Sequence, residues 1–515
     1  MLDLGVASLP LGAYSLGLFL SFVIEALLTP RPSLLRRPFQ GWALHVGAWS
    51  VLFALLLGLT GRSWFSMTNA LSFWLLVVMV SNAKYHSLRE PFVCADFEYF
   101  SDAIRYPRLY LPFFGVAKAL ALAAVYLGIL SLGLYLEPAR PHASLAGLML
   151  AGAGIASVWL GSRRPLQPTF EAGEDLSRFG LAAALWSYFW AARHRVDVGA
   201  LPSPFAAAAR TAAGADKPDL VVVQSESFFD ARRLWPGVRQ EVLAHYDQLR
   251  HEALSQGRLK VSAWGANTVR TEFAFLSGLP GSALGVHRFN PYRVLARQGI
   301  PSLASELKRQ GYRTICVHPY ARSFYGRDKV MPALGFDEFI DLRDFTDAQR
   351  AGPFVGDMAV AEKIAALLHD KASGQPLYIH AITMENHGPL HLEEVDPGDW
   401  PLWFDRALPE GCQDLAAYLR HLRNADRMLA HLRTVLRARP DPARLCFFGD
   451  HVPILPDVYR SVGAPDGDTE YLIWSNREHG DRAEAKPLAV EALAPAVLAA
   501  LAEVEVEVEV EVERA

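Results

Sequence analysis

Polar residues able to support phosphoryl chemistry follow apolar runs at four places in the second half of the chain. They are Glu226 after residues 220–224, Thr268 within residues 265–273, His387 after residues 376–383, and Asp450 with His451 after residues 444–448. Carboxylates, imidazoles and a hydroxyl form a plausible ligand set for Zn²⁺, Mn²⁺ or Mg²⁺. A divalent ion acidifies a bound hydroxyl and neutralises phosphate charge. These residues therefore predict a metal-assisted threonine nucleophile.

Thr268 is singled out by its position at the start of a predicted helix. Val269, Phe273 and Leu276 fall at i, i+4 and i+7, which is an apolar helical stripe. Free amide groups and the helix dipole favour a phosphate or another oxyanion at such an N-terminus. The alternative is that the Thr268 hydroxyl only caps the helix. The full ligand set favours the catalytic interpretation.

The elements that must position these side chains alternate between strands and helices from residue 217 onward. Buried-type strands are predicted at 219–224, 259–262, 313–317, 376–383 and 444–448, and helices at 240–253, 301–310 and 418–432. This alternation predicts an α/β domain with a mainly parallel sheet between helices. Ligands of such sheets bind beyond the carboxyl ends of the strands, where the polar candidates lie.

The first third of the chain is apolar enough to enter a membrane. Five long apolar runs are found at 5–28, 42–59, 65–80, 109–136 and 145–160. Each is near the length that a helix needs to cross the hydrocarbon core, so an N-terminal bundle of about five transmembrane helices is predicted. The net charge of −4 gives no support for a nucleic-acid partner. The four scattered cysteines fit neither a zinc knuckle nor a disulfide framework.

The predicted domain organisation has four parts. Residues 1–162 form the polytopic transmembrane domain, and 163–216 hold an interfacial helix near 179–190 and an alanine-rich linker. Residues 217–502 form the catalytic domain. Residues 503–515 alternate Glu and Val, and their mutual charge repulsion predicts a disordered tail.

The charge pattern and the chemistry disagree about membrane sidedness. Arg31, Arg36 and Arg37 follow the first apolar run, and the positive-inside rule places them in the cytoplasm. With five spans, the C-terminal domain would then be cytoplasmic too. However, no ATP-binding loop of the G-x-x-x-x-G-K-[ST] type occurs, so the activated group is expected to come from a lipid.

Several segments together resemble the lipoteichoic acid synthase and phosphoglycerol transferase branch of the alkaline phosphatase/sulfatase superfamily. They are QSESF, GANTVRTEF, FYGRDKV with LGFDEF, MENHGP, FFGDH and EYLIWSN. The resemblance extends over about residues 218–476, and the five apolar runs fit it as well. It implies a sulfatase-like fold that works outside the cytoplasm, on a bacterial cell (inner) membrane protein with several spans.

The resemblance also implies residue roles. Thr268 matches the family nucleophile, and Glu226, Thr268, Asp450 and His451 match a single metal site for Mn²⁺, with Mg²⁺ or Zn²⁺ as alternatives. His387 matches a residue that contacts the head group and assists the leaving group, and Phe324, Tyr325 and Arg327 match the head-group pocket. The family often has tryptophan at the position of Tyr325 and an acidic residue at that of Tyr320. These departures leave head-group selectivity open.

The function that the resemblance implies is phosphoglycerol transfer from phosphatidylglycerol, through a covalent threonine intermediate, to a glycan or glycerol-phosphate polymer. Phosphoethanolamine transfer by the same mechanism is the alternative. Sulfuric ester hydrolysis is disfavoured, because sulfatases need an oxidised Cys or Ser where this chain has Thr268. A non-catalytic membrane protein that binds lipid or glycan is a further alternative, and the complete ligand set argues against it.

Overall fold

The computed structural model describes residues 4–97, 116–140, 143–206, 217–477 and 484–512. The chain divides into two compact units, Met1–Arg195 and Val196–Ala515. The predicted segment 163–216 is therefore shared between them, and its alanine-rich linker lies almost entirely outside the described residues. The domain boundaries drawn from the sequence stay predictions.

The described part of the first unit is helical. Its helices are α1 (Leu4–Glu25), α2 (Phe39–Thr60), α3 (Ser63–Leu88), α4 (Val116–Leu136), α5 (Ala143–Ser162), α6 (Ala172–Phe179) and α7 (Leu181–Ala191). Within the described ranges, α2, α3 and residues Leu145–Ser162 of α5 are long and apolar enough to cross a membrane. The predicted count of five is not confirmed. The first and fourth apolar runs are described only over shorter lengths, Pro10–Glu25 and Leu120–Leu136.

A buried ion pair holds the first unit together where α1, α2 and α7 meet. Arg37 Nη2 lies 2.5 Å from Glu25 Oε2, and both side chains are at most 1% exposed. The other Glu25 oxygen accepts a 2.7 Å hydrogen bond from the backbone N–H of Leu181, the first residue of α7. Gly180 has a φ of +80°, and a Cβ there would lie 2.3 Å from Arg37 Nη2. Charge pairing and the absence of a side chain at Gly180 therefore fix the start of α7.

The second unit is built on an eight-stranded sheet. Its strands are β1 (Asp219–Ser225), β2 (Ser255–Lys260), β3 (Arg313–Val317), β4 (Glu338–Ile340), β7 (Leu377–Ile382), β8 (Ala443–Gly449), β9 (Thr469–Ser475) and β10 (Leu488–Ala489), with β5 (Arg350–Ala351) and β6 (Phe354–Val355) forming a separate hairpin. The order is β10-β2-β9-β8-β1-β7-β3-β4. Only β9 among these strands runs antiparallel to its neighbours in the described sheet. The predicted α/β class with a mainly parallel sheet is confirmed.

Helices cover both faces of this sheet. They are α8 (Ala244–Glu252), α9 (Thr268–Ser277), α10 (Leu303–Arg309), α11 (Arg327–Ala333), α12 (Asp357–His369), α13 (Gln413–Arg437), α14 (Pro456–Val462) and α15 (Val490–Val512). In β1, Val221 and Val223 face the core layer with α8, α12 and α13. Leu220 and Val222 face the layer with α9, α10 and α15. Successive strand residues point to opposite faces, so a strand that is apolar throughout must be covered on both sides.

Some elements differ from the sequence-based expectation. The predicted helix 240–253 is a 3₁₀ turn, Gln240–Leu243, followed by α8. The strand predicted at 259–262 is the end of β2, which pairs antiparallel with β9. Helix α15 extends into the Glu/Val tail, 503–515, whose predicted disorder stays a prediction.

The Glu25–Arg37 pair makes a testable contribution to stability. Arg37→Met leaves the buried Glu25 carboxylate without its cation, which should cost about 3–5 kcal/mol. Adding Glu25→Gln removes the orphaned charge and should recover most of that loss. Thermal unfolding of the full chain in detergent measures both variants. The interpretation is wrong if the double variant unfolds at the same temperature as Arg37→Met or below it.

Candidate active site

Two metal-ligand candidates meet because the strands before them are paired. Strands β1 and β8 are parallel neighbours, and Ser225 lies opposite Gly449. Glu226 and Asp450 follow these two residues directly, and His451 comes next. The carboxyl ends of parallel strands lie at one edge of the sheet, so the three side chains converge there. Their ligand atoms all lie within 4.8 Å of one another, and all three residues are buried.

The contacts of this cluster fit a bound cation. His451 Nε2 lies 3.5 Å from Glu226 Oε1 and 3.6 Å from Asp450 Oδ2. Asp450 Oδ2 and His451 Nε2 are buried and have no hydrogen-bond partner among the described residues. Buried polar atoms without partners are costly, and several facing one point are what a metal ion would satisfy. The oxygen and nitrogen donors suit Mn²⁺, Mg²⁺ or Zn²⁺.

The electrostatics of the cluster show the same excess of negative charge. Burial, together with the nearby Glu226 carboxylate, raises the pKa of Asp450 to about 7. Burial opposes a charge on His451, but the carboxylates of Asp450 and Glu226 outweigh it and raise the pKa of His451. Two carboxylates therefore share a dry site in which positive charge is strongly favoured.

Thr268 joins this cluster as the first residue of α9. Its hydroxyl lies close enough to the Asp450 carboxylate to lower the pKa of that group, and the residue is 9% exposed. The N-cap of α9 is Asn267, which has a left-handed backbone conformation with φ 65°. Its side chain makes no capping hydrogen bond. Thr268 therefore does not occupy the N-cap position that a capping role requires. The structure brings together all four predicted metal-site residues.

The neighbouring threonine has a different environment. Thr271 is fully buried, and its hydroxyl donates a 2.8 Å hydrogen bond to the backbone carbonyl of Asp450. This bond attaches α9 to the loop after β8. Thr271 thus supports the cluster from behind, whereas Thr268 is the threonine whose hydroxyl faces its carboxylate.

His387 follows β7, which pairs with β1 on the side opposite to β8. Its ring lies against aromatic side chains. Its Nδ1–H donates to the Gly388 carbonyl at 2.8 Å, which leaves Nε2 for a substrate. The imidazole centroid lies 5.3 Å from the Phe354 ring. The ring centroids of Phe354 and Tyr320 lie 6.2 Å apart, and those of Tyr320 and Phe324 lie 5.3 Å apart. A continuous aromatic wall therefore connects the predicted residues His387 and Phe324.

Arg327 is buried beside that wall and faces a carboxylate. Its Nη2 and Nε bind Glu272 of α9 at 2.7 and 3.2 Å, and its guanidinium lies 5.3 Å from the ring of Tyr325. Although burial opposes the charge, Glu272 raises the pKa of Arg327. Two of the three guanidinium nitrogens of Arg327 are therefore already bonded to Glu272. Direct phosphate binding by Arg327 stays a prediction, and its visible role is to hold α9.

His318 completes this arrangement. Burial and the adjacent Arg327 lower its pKa to about 3, so its ring is neutral. Nδ1 lies 3.1 Å from the Ile382 carbonyl, and Nε2 lies 3.2 Å from Arg327 Nη1. A neutral ring that donates from Nδ1 and accepts at Nε2 satisfies both contacts. The imidazole therefore links β3 to β7 and orients the guanidinium.

Sequence reasoning missed Glu272, His318 and Phe354 as parts of the site. Glu272 carried a usable signal, because a carboxylate within an apolar helical stripe needs a buried partner. His318 directly follows the strand β3, and a polar residue at the end of a buried strand was a similar signal. The short hairpin that carries Phe354 gave no pattern from which its contact with His387 could be predicted.

Comparison with known proteins identifies relatives of both units. The sulfatase family model matches residues 218–503. A capsular polysaccharide biosynthesis protein of Rhizobium meliloti is 29% identical over 444 residues, 82% of this chain and 79% of that protein. A lipoteichoic acid synthase of Staphylococcus aureus is 32% identical over 127 residues, 24% of this chain and only 18% of that protein.

A solved structure gives a partial match to this chain. The Streptococcus pyogenes phosphoglycerol transferase GacH, in complex with sn-glycerol-1-phosphate, is similar over 55% of this chain and 74% of its own chain. The TM-score is 0.45 and the sequence identity is 23%.

The metal-ligand assignment predicts separate effects on metal binding. Glu226→Gln, Asp450→Asn and His451→Gln should each lower the bound divalent metal, because each removes a donor from the cluster. His387→Ala should leave the metal content unchanged, since its ring lies in the aromatic wall. Elemental analysis of the purified full chain measures this. Metal loss in the His387 variant would place that imidazole among the ligands and contradict the division of roles.

Proposed function

Because this chain belongs to the sulfatase family, we propose that it is a membrane-bound phosphoglycerol transferase. It takes phosphoglycerol from phosphatidylglycerol, holds it on Thr268, and passes it to a hydroxyl of a glycan or glycerol-phosphate polymer. The observation that carries this proposal is the placement of Thr268. Its hydroxyl lies at the N-terminus of α9, next to the Asp450 carboxylate of a buried cluster that favours a cation.

In the first half-reaction, Thr268 Oγ forms a bond to the phosphorus of phosphatidylglycerol. The bond from phosphorus to the diacylglycerol oxygen breaks, and the proton lost by Thr268 is balanced by the one that diacylglycerol gains. When bound by Glu226, Asp450 and His451, a divalent metal lowers the pKa of the hydroxyl and offsets phosphate charge. The N-terminal amides of α9 add partial positive charge next to the reacting phosphate.

The aromatic wall suits the head group and the proton transfer. His387 Nε2 is free because Nδ1 is bonded to the Gly388 carbonyl. We assign the imidazolium form of His387 to donate its Nε2 proton to the departing diacylglycerol oxygen and to recover one from the acceptor hydroxyl. The Thr268 proton passes to water in the first half-reaction and is returned from water in the second. Phe324, Tyr325 and Arg327 shape the pocket for the glycerol end, with Arg327 acting mainly through its pair with Glu272.

In the second half-reaction, an acceptor hydroxyl attacks phosphorus and the bond to Thr268 Oγ breaks, which returns the proton to threonine. A glycan acceptor is supported by the relative from capsular polysaccharide biosynthesis, which matches most of this chain. A phosphoglycerol donor is supported by the shorter match to a lipoteichoic acid synthase. Tyr320 and Tyr325 differ from the residues that the family often has at these positions, so the donor head group is the property to measure first.

The covalent intermediate gives the sharpest test of this function. Thr268→Ala should reduce diacylglycerol release from phosphatidylglycerol by roughly 10⁴-fold or more, as losing a nucleophile does. Thr271→Ala loses only a supporting hydrogen bond and should keep part of the activity. Mass spectrometry of the full chain should find a phosphoglyceryl group on Thr268 alone. Activity that survives in Thr268→Ala but not in Thr271→Ala would refute the assignment, and release from phosphatidylethanolamine instead would replace the donor.

We also propose that the protein is a multi-pass protein of the bacterial inner membrane with an extracytoplasmic catalytic unit. Its donor lipid supplies activated phosphoglycerol where ATP is absent. The positive-inside argument weakens because Arg37 is neutralised by buried Glu25 and is not a free positive charge. Only Arg31 and Arg36 then favour a cytoplasmic first loop.

Sidedness is measured with reporters fused after residue 215. An alkaline phosphatase fusion should be active and a green fluorescent fusion dark, because the first folds outside the cytoplasm and the second inside. Fusions after residue 3 should show the opposite pattern for the N-terminus if it is cytoplasmic. A fluorescent, phosphatase-inactive fusion at residue 215 would overturn both the location and the lipid donor.

A further inference from the structure

A buried histidine on α13 stands behind the loop that carries His387. His421 is 1% exposed, and its Nδ1 lies 2.9 Å from Glu385 Oε1. Its Nε2 lies 2.9 Å from Glu393 Oε2. Glu385 and Glu393 are the two ends of the segment that contains His387. One imidazole therefore bridges both ends of this segment, the loop 385–393.

Other groups fix the same two carboxylates. Glu385 also accepts hydrogen bonds from Asn424 Nδ2 at 2.6 Å and from the backbone N–H of Asp357 at 2.7 Å. Glu393 pairs with Arg420, which precedes His421 on α13. Gly352, with φ +81°, keeps the space next to this pair open, since a Cβ there would lie 3.1 Å from Glu393 Oε2. The cluster is closed and well packed.

The bridge requires a charged imidazole. Each ring nitrogen faces a carboxylate oxygen, so both must carry a proton, and only the imidazolium donates from both. Burial opposes this charge, but hydrogen bonds to Glu385 and Glu393 raise the pKa of His421 to about 9. Burial and the Glu385 carboxylate raise the pKa of the neighbouring Asp357. At neutral pH the histidine is therefore a cation between two anions.

We propose that His421 is a positioning residue that acts through His387, by tying the two ends of the loop 385–393 together with a doubly donating imidazolium. This inference rests on the function proposed above for His387. The loop needs such a tie because it leaves β7 and has no strand or helix of its own up to the 3₁₀ turn Leu390–Leu392. Apolar packing would stabilise α13 at lower cost than a buried charge, so the charge is explained by orientation.

The same network reaches the metal cluster. Asp357 makes a side-chain hydrogen bond with Thr383, and the Thr383 hydroxyl accepts a 3.0 Å hydrogen bond from the backbone N–H of Glu226. Helix α12 is thus connected to the predicted metal ligand Glu226 through Thr383, whereas His421 of α13 contacts the two ends of the loop that carries His387. Loss of His421 should therefore disturb His387 while leaving the metal ligands in place.

The test compares His421→Gln with His431→Gln, a matched change ten residues farther along α13, in the full chain. Glutamine keeps a donor but cannot carry the charge. His421→Gln should lower kcat for diacylglycerol release from phosphatidylglycerol by about 10- to 100-fold, with unchanged metal content. The His431 variant should match the wild type. In a His387→Ala background, His421→Gln should cause less than about a twofold further loss, because its effect passes through His387.

Hydrogen exchange separates this inference from the proposed reaction. Peptides covering residues 384–393 should exchange faster in His421→Gln than in wild type, while peptides of α9 remain unchanged. If the wild type releases no diacylglycerol, the proposed function fails but the exchange comparison still decides whether the tie exists. Unchanged loop exchange would overturn the inference. An equal loss of kcat in the wild-type and His387→Ala backgrounds would also overturn it, because His421 would then not act through His387.

Discussion

The catalytic unit depends on keeping two carboxylates and an imidazole in one dry site at the carboxyl ends of β1 and β8. Glu226 and Asp450 repel each other there, and burial removes the water that would screen them. A strand pair solves the positional part of this problem, since the register of β1 and β8 brings both side chains to one edge. His451 offsets part of the repulsion, and the unpartnered oxygen and nitrogen atoms of the cluster would suit a cation.

Buried charge pairs also decide how the surrounding elements are joined. Glu272 of α9 is paired with Arg327 of α11, Glu385 with His421 of α13, and Glu25 of α1 with Arg37. In each case the partners come from different segments, so the pair specifies which segments meet and in what orientation. Removing one member leaves a buried uncompensated charge, which costs more than the intact pair contributes. The fold thus uses ion pairs for orientation and apolar layers for stability.

The sequence predicted what depends on local patterns and missed what depends on distant pairing. Apolar strand runs identified β1, β7 and β8, and because parallel strands align their ends, the convergence of Glu226, Asp450 and His451 could be predicted before any coordinates were known. The partner of Arg327 is 55 residues away in the chain, and no local pattern links it to Glu272. The contact between His421 and Glu385 spans 36 residues and is equally invisible. The predicted count of five membrane spans is not confirmed, because the first and fourth apolar runs are described only over shorter lengths.

The two kinds of site residue need different support. Glu226 and Asp450 directly follow central strands, so the sheet already holds their backbones. The Glu226 N–H also donates a hydrogen bond to the Thr383 hydroxyl, and the Ser227 N–H donates one to the Asp450 carboxylate. His387 lies five residues beyond β7 in an irregular segment, where the ladder no longer constrains it. The proton transfer proposed for His387 would tolerate little misplacement of its ring. The His421 imidazolium supplies the missing constraint by bonding both ends of this irregular segment. Strand pairing already constrains the residues that directly follow β1 and β8.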